Sequence, residues 1–316
     1  MITSPRAHPW ADPQQPGRFG AGWLTLRERL DCVARDRRLA MTLAQRLPLR
    51  PTILDLGAGT GSLFRFMAPI IARPQRWIFA DVDRSLIETA FHRTVDWAGK
   101  IGFTLRSRRG SGMPALSIGA AQGIWRIDAL AIDLAKAPRG LPLDEVDAVT
   151  CSALLDLASR QWMERLFAAL RTPFYAGMTV DGRDAWFPPH PADATVRLAF
   201  RCDQRREKGL GLALGVEASQ TALELLATLG FDTLAADSDW RIVRGERRLG
   251  RLLVAMTARA ASQAMPARAS TIGSWYRARL GDAGRARLAI RVGHRDILGI
   301  PPPDRAHAKA ARITTR

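Results

Sequence analysis

Residues 53–62 read ILDLGAGTGS: an apolar run carrying Asp55, then Gly57, Gly59 and Gly61 at alternate positions. Such a run predicts a strand that turns sharply into a helix, the junction at which α/β proteins hold nucleotides. Two familiar occupants fit poorly. A dinucleotide turn of the G-x-G-x-x-G kind needs a third glycine at position 62, where Ser62 stands. A P-loop needs a lysine after its last glycine, and the sequence there is GTGS. Asp55 narrows the choice further. A carboxylate at a strand end repels a pyrophosphate but suits a ligand with an ammonium group.

Working outward, strand and helix patterns alternate from residue 52 to about residue 180. A second strand is expected in WIFADVD (77–83), with Ser85 as N-cap of the helix after it. Third, fourth and fifth strands are expected within 125–133, around 148–151 and near 173–180. The alternation predicts the α/β class: a Rossmann-like, mostly parallel, doubly wound sheet with helices on both faces. Residues 106–123, rich in glycine and serine, are expected to form a loop or an insertion. Residues 1–20 read as a flexible leader, and 21–260 as one domain. That domain carries an N-terminal helical cap (21–50) and an insertion or lid (181–215). Residues 261–300 read as a C-terminal extension, with 287–293 expected to return a strand to the sheet, and 301–316 as a disordered tail.

The chain has 316 residues, 47% of them hydrophobic, which suffices for a sizeable core. It contains no apolar run long enough for a transmembrane helix, and three scattered cysteines argue against a zinc site and for a reducing cytoplasm. The formal net charge is +17, yet only four of the 47 basic residues are lysines. An arginine bias of that kind is what a GC-rich genome produces. From Arg259 onward twelve basic residues face three acids, so much of the excess lies far from the glycine turn. A nucleic-acid partner is possible on this charge but not favoured.

Asp55-x-Gly57-x-Gly59-x-Gly61 resembles the first motif of the class I S-adenosylmethionine-dependent methyltransferases. The resemblance covers roughly residues 50–180. It implies S-adenosylmethionine as cofactor, with Asp55, Gly57, Ala58, Gly59 and Gly61 around its amino-acid end. By the same resemblance Asp81, next to Val82, takes the two ribose hydroxyls, with Asp83 as the competing choice. Asp133 takes the adenine amino group, with Asp128 as a rival, and Ser152 lies near the reactive methyl.

The strand around Cys151 lacks the Asn/Asp-Pro-Pro-Tyr and Pro-Cys sequences used on nucleic-acid bases, so a small-molecule acceptor, methylated on oxygen or nitrogen, is expected. The alternative is an RNA methyltransferase, or an RNA-binding protein of that fold, using the basic C-terminal tail. His190 and Asp156 are the expected catalytic residues, with Tyr175 and His294 as further candidates for a base. Trp23, Trp186 and Phe187 are candidates for an apolar wall around the acceptor.

Overall fold

The computed structural model describes residues 20–108 and 115–303. The leader 1–19 and most of the expected tail, 304–316, lie outside the described residues.

The first strand, β1 (Thr52–Leu56), is buried on both faces because its side chains alternate between two helical layers. Ile53 joins the layer of α2 (Arg37–Arg46), α3 (Ser62–Ile71) and α4 (Arg84–Lys100), where Leu43, Phe64 and Phe91 meet β2 (Gln75–Asp81) through Trp77 and Phe79. Leu54 and Leu56 join the opposite layer, where α5 (Arg160–Ala169) and α7 (Ala218–Thr228) contribute Trp162, Leu166 and Leu226. The sheet continues through β5 (Gly123–Ala131), β6 (Ala148–Ser152) and β7 (Phe174–Val180), and these run parallel in the order β5-β2-β1-β6-β7. Beyond β7, the strand β12 (His294–Ile300) enters antiparallel and pairs on its far side with β9 (Asp232–Asp237). The doubly wound sheet expected from the alternation is therefore present, with its chain reversal between β1 and β6, where open α/β sheets bind ligands.

Three expectations are corrected. The segment 106–123 is not simply a loop: β3 (Thr104–Arg108) and β4 (Ala115–Ala120) extend the sheet antiparallel beyond β5. Leu116 and Ile118 alternate inward, which is the strand signal. The strand returning to the sheet is 294–300, not 287–293. β11 (Ala289–Val292) pairs instead with β10 (Trp240–Ile242) and β8 (Ala185–Phe187) in a second, three-stranded sheet. Gly293 is the corner between the two sheets, since a Cβ there would lie 2.3 Å from an Asp181 carboxylate oxygen and 2.9 Å from the Arg183 nitrogen. Finally, α4 is capped by Asp83, not Ser85, because the Asp83 carboxylate accepts from the Ser85 and Leu86 amides.

A separate core forms over the carboxyl edge of the sheet. It gathers Trp23 of α1 (Ala21–Ala34), Val196 of α6 (Asp193–Gln204), Trp240, Val254 of α8 (Arg247–Ala264), Trp275 of α9 (Ala269–Gly284) and Ile290. The expected cap over 21–50 is thus divided: α1 joins this core, while α2 packs on the main sheet through Leu39 and Leu43. The expected break at residue 260 falls inside α8, whose apolar face is part of the same core. Among the described residues no helix is long and apolar enough to cross a membrane.

Candidate functional site

The glycine turn opens into a cavity of about 270 Å³ between the strand ends and the second core. Gly57, Gly59 and Gly61 all have left-handed backbone, with φ of 63°, 52° and 77°, which side-chain-bearing residues rarely adopt. The turn is fixed by the Gly57 amide on the Ala80 carbonyl (2.8 Å) and the Gly61 amide on the Ala58 carbonyl (2.8 Å). Space is as tight as backbone geometry: a Cβ on Gly57 would come within 3.2 Å of Leu154, and one on Gly59 within 3.3 Å of Leu24.

Asp55 sits at the floor of the cavity, 1% exposed. Its Oδ1 accepts from the Thr150 hydroxyl at 3.1 Å, while its buried Oδ2 has no partner among the described residues. Burial pushes its pKa up to about 7, opposed by the Thr150 hydrogen bond and the nearby Arg35 charge. A buried carboxylate oxygen left unpaired is costly, so a donor arriving from the cavity is strongly favoured.

Asp81 ends β2 beside it. Its Oδ2 accepts from the Gly59 amide (2.9 Å) and its Oδ1 from the Asp83 amide (3.0 Å). Each oxygen keeps a second lone pair for a ligand hydroxyl. Burial raises its pKa, against those backbone hydrogen bonds. Asp83 also borders the cavity, and its Oδ1 accepts from the Ser85 and Leu86 amides in the first turn of α4. Val82 and Leu86 supply an apolar wall there. Asp133 borders the same end and also caps a short 3-10 turn through the Ala135 amide (3.0 Å). Its rival Asp128 lies within β5, paired with Arg76 at 2.6 Å, away from the cavity.

Ser152 lines the cavity at the end of β6, and its hydroxyl accepts from Arg35 Nη2 at 2.9 Å. The same nitrogen reaches the Ser62 hydroxyl at 2.9 Å, so Arg35 ties β6 to the start of α3. Asp156, on the 3-10 turn after β6, is half-buried, with an unpartnered buried Oδ1 and a pKa raised by burial to about 6, opposed by its own backbone amide and by Arg27.

His190 is corrected. It is not among the residues lining the cavity; its ring Nδ1 accepts from the Ala192 amide at 3.1 Å, at the entry to α6. Its backbone amide donates to Asp193, whose carboxylate also takes Trp275 and Arg279 inside the second core. A histidine flanked by prolines reads as a lid residue in sequence, and here it is the fastening of a helix start. Tyr175 and His294 are also spoken for. The Tyr175 hydroxyl donates to Asp296 at 2.9 Å, and burial holds His294 down at a pKa of about 4, beside Trp240. Trp23 and Trp186 are core residues and Phe187 is exposed; none of the three lines the cavity.

Sequence reasoning missed the residues that close the cavity. Leu24, Arg27 and Asp31 descend from α1, and Lys208, Gly209 and Leu210 reach in from the loop after α6. Helix α1 is held by Glu28, which pairs with Arg65 (2.6 Å) and Arg93 (2.7 Å). The loop is held by the Ser159 amide on the Leu210 carbonyl (3.1 Å) and the Leu214 amide on the Ala158 carbonyl (3.0 Å).

The sheet order and the turn together are those of the class I S-adenosylmethionine-dependent methyltransferase fold. Solved structures that resemble the chain include an S-adenosylmethionine-dependent methyltransferase from Geobacter sulfurreducens in complex with S-adenosyl-L-homocysteine. It is 15% identical, covers 87% of this chain and 98% of its own, and has a TM-score of 0.41. A cyclopropane-fatty-acyl-phospholipid synthase-like protein from Lactobacillus casei is 11% identical over 86% and 98%, with a TM-score of 0.44. The cyclase SpnF is 16% identical over 94% and 88%, with a TM-score of 0.37. At such identities and TM-scores a likeness brings neither activity nor substrate to this chain. No family model matches the sequence, and no curated protein was found similar to it.

Proposed function

We propose that this chain is an S-adenosylmethionine-dependent methyltransferase acting on an oxygen or nitrogen atom of a small-molecule acceptor. The observation that carries the reading is the unpartnered, buried Oδ2 of Asp55 at the floor of a glycine-walled cavity. When bound, the cofactor supplies an electrophilic methyl group on a positively charged sulfur and leaves as S-adenosylhomocysteine. Asp55 would hold its ammonium, Asp81 its ribose hydroxyls, and Val82 and Leu86 one face of the adenine, with Asp133 at the rim for the exocyclic amine. The three glycines let the backbone approach without a Cβ between.

The lining supports a cationic ligand. It carries five carboxylates (Asp31, Asp55, Asp81, Asp83, Asp133) against two cations (Arg27, Lys208), in a chain whose formal net charge is +17. An RNA acceptor fits such a cavity poorly, because its phosphates would meet the acids. Little protein chemistry is required beyond aligning the acceptor with the methyl group. Asp156, the expected base, is not among the residues lining the cavity, so alignment rather than a protein base carries the step in this reading.

The test is calorimetric titration with S-adenosylhomocysteine. Micromolar binding is expected for the native protein, weakened by roughly 2–3 kcal/mol in Asp55→Asn, the cost of removing a charged hydrogen-bond partner. Absence of binding at millimolar ligand would end the methyltransferase reading.

A further inference from the structure

The charges lining the cavity are unevenly placed: four of the five acids share one half, and the fifth, Asp31, is paired with Arg27 in the half that holds both cations. Asp55, Asp81, Asp83 and Asp133 stand at or just beyond the ends of β1, β2 and β5. Both cations lie over the other half, above β6 and β7. Arg27 packs over the ring of Trp240, with its guanidinium carbon 4.9 Å from the ring centre. Trp240 in turn lies 4.9 Å from the ring of His294, which pairs with Val180 at the end of β7. Lys208 stands on the loop that is bonded to Ala158 and Ser159, just after β6.

Each cation is aimed by an acid at its back. Arg27 Nε and Nη2 grip Asp31 at 3.0 and 3.2 Å, and Trp240 Nε1 holds the same carboxylate at 3.0 Å. Nη1 of Arg27 has no partner among the described residues. Lys208 gives Asp203 one of its three N–H donors, at 3.1 Å. Both side chains are largely buried, with Arg27 at 11% and Lys208 at 17% exposure. Burying a cation is expensive even when paired, and a salt bridge of this kind is weak grounds for stability. The two are better understood as donors kept in place for a ligand. Around them the wall is apolar: Leu24, Ala153, Leu154, Leu157 and Leu210.

We infer that the methyl acceptor carries a carboxylate on an apolar body, and that Arg27 and Lys208 clasp that carboxylate from opposite elements. The inference rests on the methyltransferase reading, since it assigns the other half of the cavity to the cofactor. A carboxylate matches the site better than a phosphate monoester. Asp31 and Asp203 already offset part of the positive charge, so a single negative charge is accommodated where a dianion is not. Arg27 contributes direction through its planar edge and Lys208 a movable point charge.

The experiment uses the full chain saturated with S-adenosylhomocysteine. Octanoate and cinnamate are titrated against their neutral amides, with phenyl phosphate as the dianion, by calorimetry or ligand-observed NMR. The acids are expected to bind roughly tenfold or more tighter than the amides and than phenyl phosphate, as charge-assisted pairs outweigh neutral ones. Lys208→Met should abolish that preference and leave S-adenosylhomocysteine affinity within about twofold, while Lys208→Arg retains it. Lys208 is on a loop, so its replacement tests the clasp without disturbing α1. Equal binding of acids and amides, tighter binding of phenyl phosphate, or no binding of either acid would overturn the inference. So would a Lys208→Met variant that loses S-adenosylhomocysteine, because the cation would then serve the cofactor's own carboxylate. Failure of the native protein to bind S-adenosylhomocysteine, read before any acid is added, would instead remove the methyltransferase reading beneath it.

Discussion

The half of the cavity above β1, β2 and β5 is built from strand ends and the turns that follow them, so its side chains are placed by the sheet itself. The half above β6 and β7 is closed by α1, anchored at Trp240, and by the loop after α6, anchored at Ala158, each anchor far away in sequence. Acids dominate the first half and cations with leucines the second. A sheet edge thus provides a ligand site of fixed shape, and the elements laid over it set what is admitted beside that ligand.

The largest effect that would break this division is at Asp81. Replacing it with alanine is expected to weaken S-adenosylhomocysteine binding by roughly 1.5–3 kcal/mol in calorimetry, since charged hydrogen bonds are lost. Asp83→Ala should instead lower stability by about 1 kcal/mol, the usual loss of a helix cap, with cofactor affinity nearly unchanged. If the two variants exchange these outcomes, the assignment of ribose to Asp81 is wrong.

A pH series sharpens the same half. Asp55 is pushed up to about 7 by burial, and an ammonium ligand needs it ionised. The empty protein therefore carries a proton below that pH which the complex does not. Affinity should rise with pH by up to about tenfold per unit below 7 and level off above, as linkage requires. Calorimetry in buffers of different ionisation enthalpy should detect release of that proton, and Asp55→Asn should flatten the dependence. A native protein with no pH dependence between about 5.5 and about 8, a window around the Asp55 value, would contradict the role of Asp55.

The second half is addressed at Gly211, which has φ of +89° and no room for a side chain: a Cβ would lie 2.6 Å from the Ser159 hydroxyl. Gly211→Ala should displace the loop carrying Lys208, at a cost of about 1–2 kcal/mol in stability, while S-adenosylhomocysteine binds as before. Loss of cofactor binding in this variant would show that the halves are not separable. The smallest effect is expected at His190. His190→Ala should cost under about 1 kcal/mol in thermal unfolding, as the partial loss of a helix-start contact, with cofactor binding unaltered. A large fall in methyl transfer would restore it as a catalytic residue.

The legibility of the two halves in sequence follows from the same difference. Asp55, the glycines and Asp81 are local: each follows a short apolar run that announces a strand, so pattern and position coincide. Arg27 and Lys208 carry no such mark. The chain has so many arginines that one more on a helix says nothing, and the meaning of Arg27 depends on Trp240, more than two hundred residues away. His190 misled for the opposite reason: its setting between prolines drew attention, while Asp193, three residues on, determined its task. The antiparallel β4–β5 hairpin is hard to see in the sequence because its turn is Ala121–Gln122, without the usual Asn-Gly or Asp-Gly signal.

Asp296 on β12 is fully buried, and it accepts from the Asp36 amide (2.8 Å), the Tyr175 hydroxyl (2.9 Å) and the Met178 amide (2.8 Å). It therefore clasps the start of α2, the strand β7 and the last strand of the sheet at one point. In order of synthesis this makes the two halves unequal. A nascent chain that has reached Leu170 already contains Asp55, the glycines, Asp81 and Asp133, along with the strands that place them. The amide of Asp36, which joins α1 to the sheet, has no acceptor until residue 296 has left the ribosome. The half of the cavity closed by α1 is thus completed last, and the end of the described chain holds its beginning in place.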